Sequence, residues 1–250
     1  MIKQLLSLSR NTLADFVFPR ICCGCNQRII ETGRIVCADC EAGIAALALP
    51  LCPRCGTQNA TIIDGVRCDD CPRGEISFKA ARATTAYAHM AKTLVEKLKY
   101  SCREEYAPMM ARRMAPVFTA EFAGKGISVI VPVPLYSVRQ RERGFNQSQV
   151  LAAELSPMIG LPVEPRALRR IRPTKSQTRL SRSERTRNIL GAFSPGTAQA
   201  GLRGATVLLV DDVCTTCATL NECARTLFEG GADTVYCLVY ARTTLREIIS

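Results

Sequence analysis

Two apolar patterns divide this chain. Downstream of Ile76 they are long. The runs ISVIVPVPL (127–135) and VLLV (207–210) show no polar alternation, as expected of parallel strands covered on both faces. AARATTAYA (80–88) reads as another strand. Leu94, Val95 and Leu98 space a helix over 90–100, and a second helix rich in Met and Ala occupies 104–122. After the 207–210 strand, Leu220, Ala224, Leu227 and Phe228 form one helical stripe, which Gly230 and Gly231 stop. Upstream of residue 76 apolar side chains are sparse and cysteines recur instead. Residues 1–20 read as a short amphipathic helix, its apolar run broken by Lys3, Arg10 and Asp15. The expected organisation is therefore an N-terminal helix (1–20), a cysteine-rich module (21–75) and an α/β domain (80–250).

Eight cysteines form four C-x-x-C pairs: Cys22/Cys25, Cys37/Cys40, Cys52/Cys55 and Cys68/Cys71, with 11, 11 and 12 residues between successive pairs. One pair supplies two thiolates on the same side of a metal, and a second pair a dozen residues on completes a tetrahedron. Two structural zinc sites follow. Sequential pairing is preferred, with a cross-braced arrangement as the alternative, and Cys23 is a spare beside Cys22. Local disulfides would be strained. Fifty residues with so few apolar side chains lack a core of their own, so metal ligation (about 10–16 kcal/mol per site) supplies the stability. All-cysteine sites leave no open position for catalysis. A scaffold is the default role, and a nucleic-acid or protein contact is a second one.

The segment VLLVDDVCTTCATL (207–220) carries the most specific chemistry. A buried strand ends in Asp211 and Asp212, and a turn bearing Thr215, Thr216, Cys217, Ala218 and Thr219 leads into a helix. A helix N-terminus with hydroxyls around it is an anion site. Two carboxylates beside a phosphate repel it unless they hold something else, such as vicinal sugar hydroxyls or a divalent cation. Phosphoribosyl pyrophosphate with Mg satisfies both demands. The bland alternative is an ordinary turn in which Asp211 caps the helix.

Basic residues gather in two places. Arg139, Arg141 and Arg143 surround Gly144 after the 127–135 strand, where guanidinium groups suit a pyrophosphate. Residues 166–187 hold nine cations and one acid, net +8 of the chain's formal +11. They read as a long structureless loop, a kind that is usually functional. Its charge exceeds the need of one pyrophosphate, which leaves Arg170, Lys175, Arg179, Arg182 and Arg185 to meet a larger polyanion. Aromatics are absent until Phe193, so phosphate contacts rather than base stacking would dominate. A solvated basic face is the alternative.

The 207–220 segment resembles the phosphoribosyl pyrophosphate signature of type I phosphoribosyltransferases. The whole chain resembles the ComF family, the GntX-like competence proteins, through the cysteine pairs, VPVPLYSVRQRERGFNQ (131–147) and TKSQTRLSRSERTRNILGAF (174–193). The resemblance implies a type I phosphoribosyltransferase-like parallel sheet with helices on both faces, preceded by a double zinc ribbon. It also implies that Asp211 and Asp212 hold the ribose, that Arg139 and Arg143 meet pyrophosphate, and that the 166–187 segment closes over the ligand. Competence and recombination proteins are the implied partners, in DNA uptake, and the polyanion that the resemblance implies for Arg170, Lys175, Arg179, Arg182 and Arg185 is single-stranded DNA. One departure stands out: the family's TTG turn has Cys217 in place of glycine.

Composition bounds these readings. A chain of 250 residues accommodates one small and one medium domain. No stretch of eighteen uncharged apolar residues is present, which argues against a membrane span, and the grouped cysteines point to a cytoplasmic protein. Cys102, Cys223 and Cys237 read as small buried residues. His89, the sole histidine, reads as a surface or boundary residue. Cys214 and Cys217 form a fifth C-x-x-C, poor as a metal site, in which Cys217 is a candidate reactive thiol. Two function classes remain: a binding protein for the sugar pyrophosphate and single-stranded DNA, or an active phosphoribosyltransferase on an unidentified acceptor. A sensor coupling the two ligands is a third.

Overall fold

The computed structural model describes residues 19–243, apart from 32, 73, 101, 102 and 174–181. The helix expected over 1–20 lies outside this set, save for Pro19 and Arg20, which are not helical. The chain forms two compact units, Met1–Ala45 and Ala46–Ser250.

Among the described residues of the first unit, the second cysteine pair opens a short helix, α1 (Ala38–Ala42): Cys37 is its N-cap and Cys40 lies within it. Ile29, Val36 and Ile44 are its main buried apolar side chains besides Cys22.

The second unit is built on a four-stranded parallel sheet. Its elements are β1 (Ala80–Ala86), α2 (His89–Tyr100), α3 (Ala107–Phe122), β2 (Ile127–Pro132), α4 (Ser137–Arg143) and α5 (Gln147–Ile159). They continue through β3 (Leu168–Arg170), α6 (Arg182–Ile189), β4 (Phe193–Pro195), β5 (Thr206–Cys214), α7 (Ala218–Glu229) and β6 (Thr234–Arg242). The spatial order is β1-β6-β5-β2, which puts β5 and β6 at the centre. Being covered on both sides is what their unbroken apolar runs demand. Val207 and Leu209 of β5 pack with Leu220, Cys223, Ala224 and Leu227 of α7. The alternate residues Leu208 and Val210 are fully buried as well, and α3 and α5 pack on that side. There Phe122 meets Tyr236 of β6 with ring centroids 5.4 Å apart. Cys223 and Cys237 are buried, as expected, and His89 is exposed.

The second zinc ribbon is part of this same unit. Its CPRCG knuckle lies against β1: the Ala81 amide donates to the Arg54 carbonyl at 2.8 Å. Gly56 is left-handed (φ +71°), and a Cβ there would come within 2.4 Å of the Ala81 carbonyl oxygen. Only glycine allows so close a backbone approach.

The basic stretch 166–187 is not structureless. Leu168–Arg170 pairs antiparallel with Phe193–Pro195, and Arg182–Ile189 is helical. Ala167, Leu168 and Ile189 are buried and anchor its ends, and Arg and Glu are good helix formers. The charge run hid this local order. Lys175 and Arg179 lie outside the described residues, as do the side chains of Arg182 and Arg185.

Among the described residues, no helix is long and apolar enough to cross a membrane.

Candidate functional site

The carboxyl ends of β2, β5 and β6 converge where parallel α/β sheets usually bind ligands. Asp211 and Asp212 stand there, 8% and 3% exposed. Asp211 Oδ1 accepts from Ser148 Oγ at 2.7 Å and from the Asp212 amide at 2.9 Å. Asp212 Oδ2 pairs with Lys99 Nζ of α2 at 2.6 Å. Burial, and then the charge of Asp212, pushes the Asp211 carboxyl up to about 7, against the pull of Ser148 and Lys99. Lys99 itself is raised: burial disfavours its charge, but Asp212 more than compensates. Burial thus favours the protonated form of Asp211.

Beyond β5 the turn enters α7, whose first N–H groups have no intrahelical partner. The Thr216 side chain lies in this turn, 4% exposed, and its hydroxyl has no hydrogen-bond partner among the described residues. A buried hydroxyl left this way calls for a ligand or a water. Cys217 is the N-cap and is left-handed (φ 57°, ψ 8°), the conformation for which glycine is normally used. Its thiol is held from within the fold rather than standing free in the turn: Arg242 Nη1 donates to Cys217 Sγ at 2.9 Å and to Cys214 Sγ at 3.2 Å. The same guanidinium donates from Nε to Thr57 Oγ1 at 3.0 Å. Thr57 follows the CPRCG knuckle, so one buried arginine links that knuckle to the turn.

The arginines after β2 are arranged by a helix, α4, that ends at left-handed Gly144. Arg139 and Arg141 are exposed. Arg143 donates to Gln147 Oε1 at 2.5 Å and lies 5.6 Å from the Tyr100 ring centroid. Asn146 caps α5 by accepting from the Ser148 amide and ties it to β2 by donating to the Val133 carbonyl at 3.0 Å. Arg170 stacks over Phe193 at 5.4 Å. Its guanidinium is held below the usual range by burial, opposed by the Cys223 and Asp211 charges and reinforced by Arg139 and Arg172. Part of the basic charge serves the fold: Arg172 donates to the Asn188 and Leu190 carbonyls, and Arg169 to Ser194.

The eight paired cysteines cluster in sequence order. Cys22, Cys25, Cys37 and Cys40 form one group and Cys52, Cys55, Cys68 and Cys71 the other, each with its sulfurs mutually within 4.8 Å. The Cys25–Cys37, Cys52–Cys71 and Cys55–Cys68 sulfurs are 3.7, 3.7 and 3.6 Å apart. A tetrahedron with Zn–S bonds of about 2.3 Å has edges of about 3.8 Å, so both sets fit zinc. Backbone amides of Gly24 and Cys37 point at Cys22 Sγ and, against burial, bring that thiol down to about 6.

Lys99, Ser148 and Arg242 escaped the sequence reading. Each carried a faint signal: a lysine next to the Leu94–Leu98 stripe, a serine directly after GFNQ, and an arginine closing the apolar run VYCLVYAR.

Comparison with known proteins agrees with these features. Residues 13–72 match the double zinc ribbon domain. The chain is 30% identical to the DNA utilization protein YhgH of Salmonella typhimurium, over 90% of this chain and 98% of that one. It is also 30% identical to competence protein F of Haemophilus influenzae, over 88% and 95%. With competence protein ComFC of Bacillus subtilis it shares 28% identity over 81% and 82%. The chain belongs to the ComF/GntX-like family of competence and DNA-utilization proteins. Solved structures matched include the glutamine phosphoribosylpyrophosphate amidotransferase of B. subtilis (TM-score 0.34, 20% identity, 56% of this chain and 26% of that one). Hypoxanthine phosphoribosyltransferase of Trypanosoma cruzi also matches (TM-score 0.34, 18% identity, 54% and 64%).

Proposed function

We propose that the turn between β5 and α7 binds the ribose-phosphate end of phosphoribosyl pyrophosphate with Mg. On this reading the protein also binds single-stranded DNA and acts in DNA uptake. The observation that carries this reading is the Thr216 hydroxyl, buried at a helix N-terminus four residues after Asp212 and without a hydrogen-bond partner among the described residues. The turn's N–H groups and threonines suit the phosphate, and the carboxylates suit the diol. Mg would neutralise the pyrophosphate, which Arg139 and Arg143 also face in this reading. The single-stranded DNA site draws on the basic segment (Arg170, Lys175, Arg179, Arg182, Arg185). The relatives named for competence and DNA utilization support the biological setting.

A second reading, pentosyl transfer to an unidentified acceptor, is favoured by one observation. Asp211, pushed up to about 7, is poised for proton exchange at neutral pH.

Calorimetry with phosphoribosyl pyrophosphate and Mg separates the cases. Binding heat that disappears in Asp211→Asn/Asp212→Asn supports the ribose-phosphate site; absence of heat in the wild type removes it. Pyrophosphate release in the presence of candidate acceptors tests the second reading.

A further inference from the structure

We propose that Cys214 and Cys217 form an oxidisable dithiol, a modification site inside the phosphate turn that a hydroperoxide converts to a disulfide. Their sulfurs are 3.0 Å apart, closer than the 3.6–3.7 Å separations within the zinc clusters. They belong to neither cluster. A disulfide bond needs its sulfurs about 2.05 Å apart, about 1 Å closer than they stand.

Three observations make the pair more than two buried cysteines. First, Cys217 holds a left-handed backbone that glycine would adopt without strain. A side chain kept in such a conformation points to a use for that side chain. Second, the Arg242 guanidinium touches both sulfurs, and among the described residues it has no carboxylate partner and its Nη2 no hydrogen-bond partner. A buried cation of this kind is balanced by a thiolate. Third, Cys217 sits at the start of α7, where the helix end adds to the same effect. In keeping with this, the Cys217 thiol lies below its ordinary range, first through the hydrogen bond from Cys214 and then, against burial, through Arg242. Cys214 is pushed up. One sulfur is thus the nucleophile and the other retains its proton.

The reaction balances with a hydroperoxide as oxidant. The Cys217 thiolate attacks the peroxide oxygen, the O–O bond breaks and hydroxide leaves, giving the sulfenic acid. The Cys214 sulfur then displaces the sulfenic oxygen, which departs as water with the Cys214 proton. The sulfurs lose two electrons and the peroxide gains them. With the two residues only 3% and 2% exposed, their sulfurs admit only a small oxidant. The disulfide is neutral, so oxidation removes a negative charge from beneath the turn and leaves Arg242 uncompensated. If the turn binds phosphate as proposed above, oxidation tightens that binding. This consequence, unlike the disulfide itself, rests on the phosphate reading.

The test uses the full, zinc-loaded chain. Hydrogen peroxide is added stepwise, free thiols are alkylated, peptides are mapped by mass, and zinc release is followed with a metallochromic dye. The expected result is a Cys214–Cys217 cross-link, two hydrogens lighter and reversed by phosphine, at doses that release no zinc. In Cys214→Ser the same dose gives a dimedone adduct at Cys217. A pair still fully alkylated after zinc has been lost overturns the proposal, as does an adduct absent from Cys217. Calorimetry with phosphoribosyl pyrophosphate and Mg then compares the two redox forms. An affinity at least threefold higher in the oxidised form supports the consequence, and equal or weaker affinity overturns it. Absence of binding in both forms refutes the phosphate reading alone, while the peptide map still decides the disulfide.

Discussion

Asp212 and Lys99 meet at 2.6 Å across the carboxyl end of the sheet, joining the central strand to helix α2, more than a hundred residues earlier in the chain. The carboxylate is almost wholly buried and the ammonium is only a fifth exposed. Removing one partner of such a pair leaves the other charge without compensation. Lys99→Met is expected to destabilise the protein by about 1–3 kcal/mol, discounted from the buried-pair range for its residual exposure. Urea unfolding measures this, and Lys99→Met/Asp212→Asn should recover part of the loss. A double variant no more stable than the single one would remove the pair's energetic role.

Ligand affinity should depend on pH through Asp211. The folded carboxyl is pushed up to about 7 from an ordinary 3.8. The folded state therefore keeps a proton that the unfolded chain releases above about pH 4. The group's contribution to stability is present below about pH 4 and is lost as pH rises through about 7. Binding runs the opposite way, because the ionised carboxylate is the better acceptor for sugar hydroxyls. Affinity for phosphoribosyl pyrophosphate with Mg is expected to rise through neutrality, by up to about tenfold per pH unit below 7. Calorimetry across this range in wild type and Asp211→Asn isolates the effect, since phosphate ionisation is common to both.

Metal content should be two zinc ions per chain by elemental analysis, one for each cysteine cluster. Chelation is expected to destabilise the sheet unit directly, because its own cluster (Cys52, Cys55, Cys68, Cys71) is buried within it and contributes to its core. Thermal unfolding of Cys55→Ser, read by near-ultraviolet dichroism, provides the check. An unchanged midpoint would mean that the second ribbon does not support the sheet.

Gly56→Ala tests how closely that ribbon is docked. The new Cβ would meet the Ala81 carbonyl at 2.4 Å with φ at +71°. The strain and the overpacking together amount to about 2–5 kcal/mol. Denaturant unfolding should show a loss of that size. Gly65→Ala, also left-handed but with open space around its Cβ, should lose less.

Single-strand DNA binding, if carried by the basic segment, should weaken steeply with salt. Neutralising Arg179, Arg182 and Arg185 together is expected to reduce the slope of log affinity against log salt by about 2, from about 0.7 per phosphate contact. A slope unchanged in the triple variant assigns the binding elsewhere.

Local chemistry made much of this protein legible from residue order alone. Cysteine spacing specified two tetrahedral sites, since a C-x-x-C turn and a second pair a dozen residues away suffice to bring four sulfurs together. The unbroken run Val207–Val210 announced a strand buried on both faces, and the Gly230–Gly231 pair marked the end of the helix that follows it. None of this required long-range contacts.

What the chain order could not convey depended on which elements the fold makes neighbours. The basic run 166–187 looked disordered because its anchors, Ala167, Leu168 and Ile189, are buried only once the β3–β4 pair and α7 are in place. Lys99 finds Asp212, and Ser148 finds Asp211, only because the parallel order β1-β6-β5-β2 brings the ends of α2, β5 and α5 together. Arg242 reaches the knuckle at Thr57 and the thiols of Cys214 and Cys217 at once because β6 lies between β1 and β5. Sequence determined which chemical groups the protein carries. Tertiary packing decided which of them share a charge, a proton or a sulfur contact, because those interactions act over a few ångströms and chain separation says nothing about such distances.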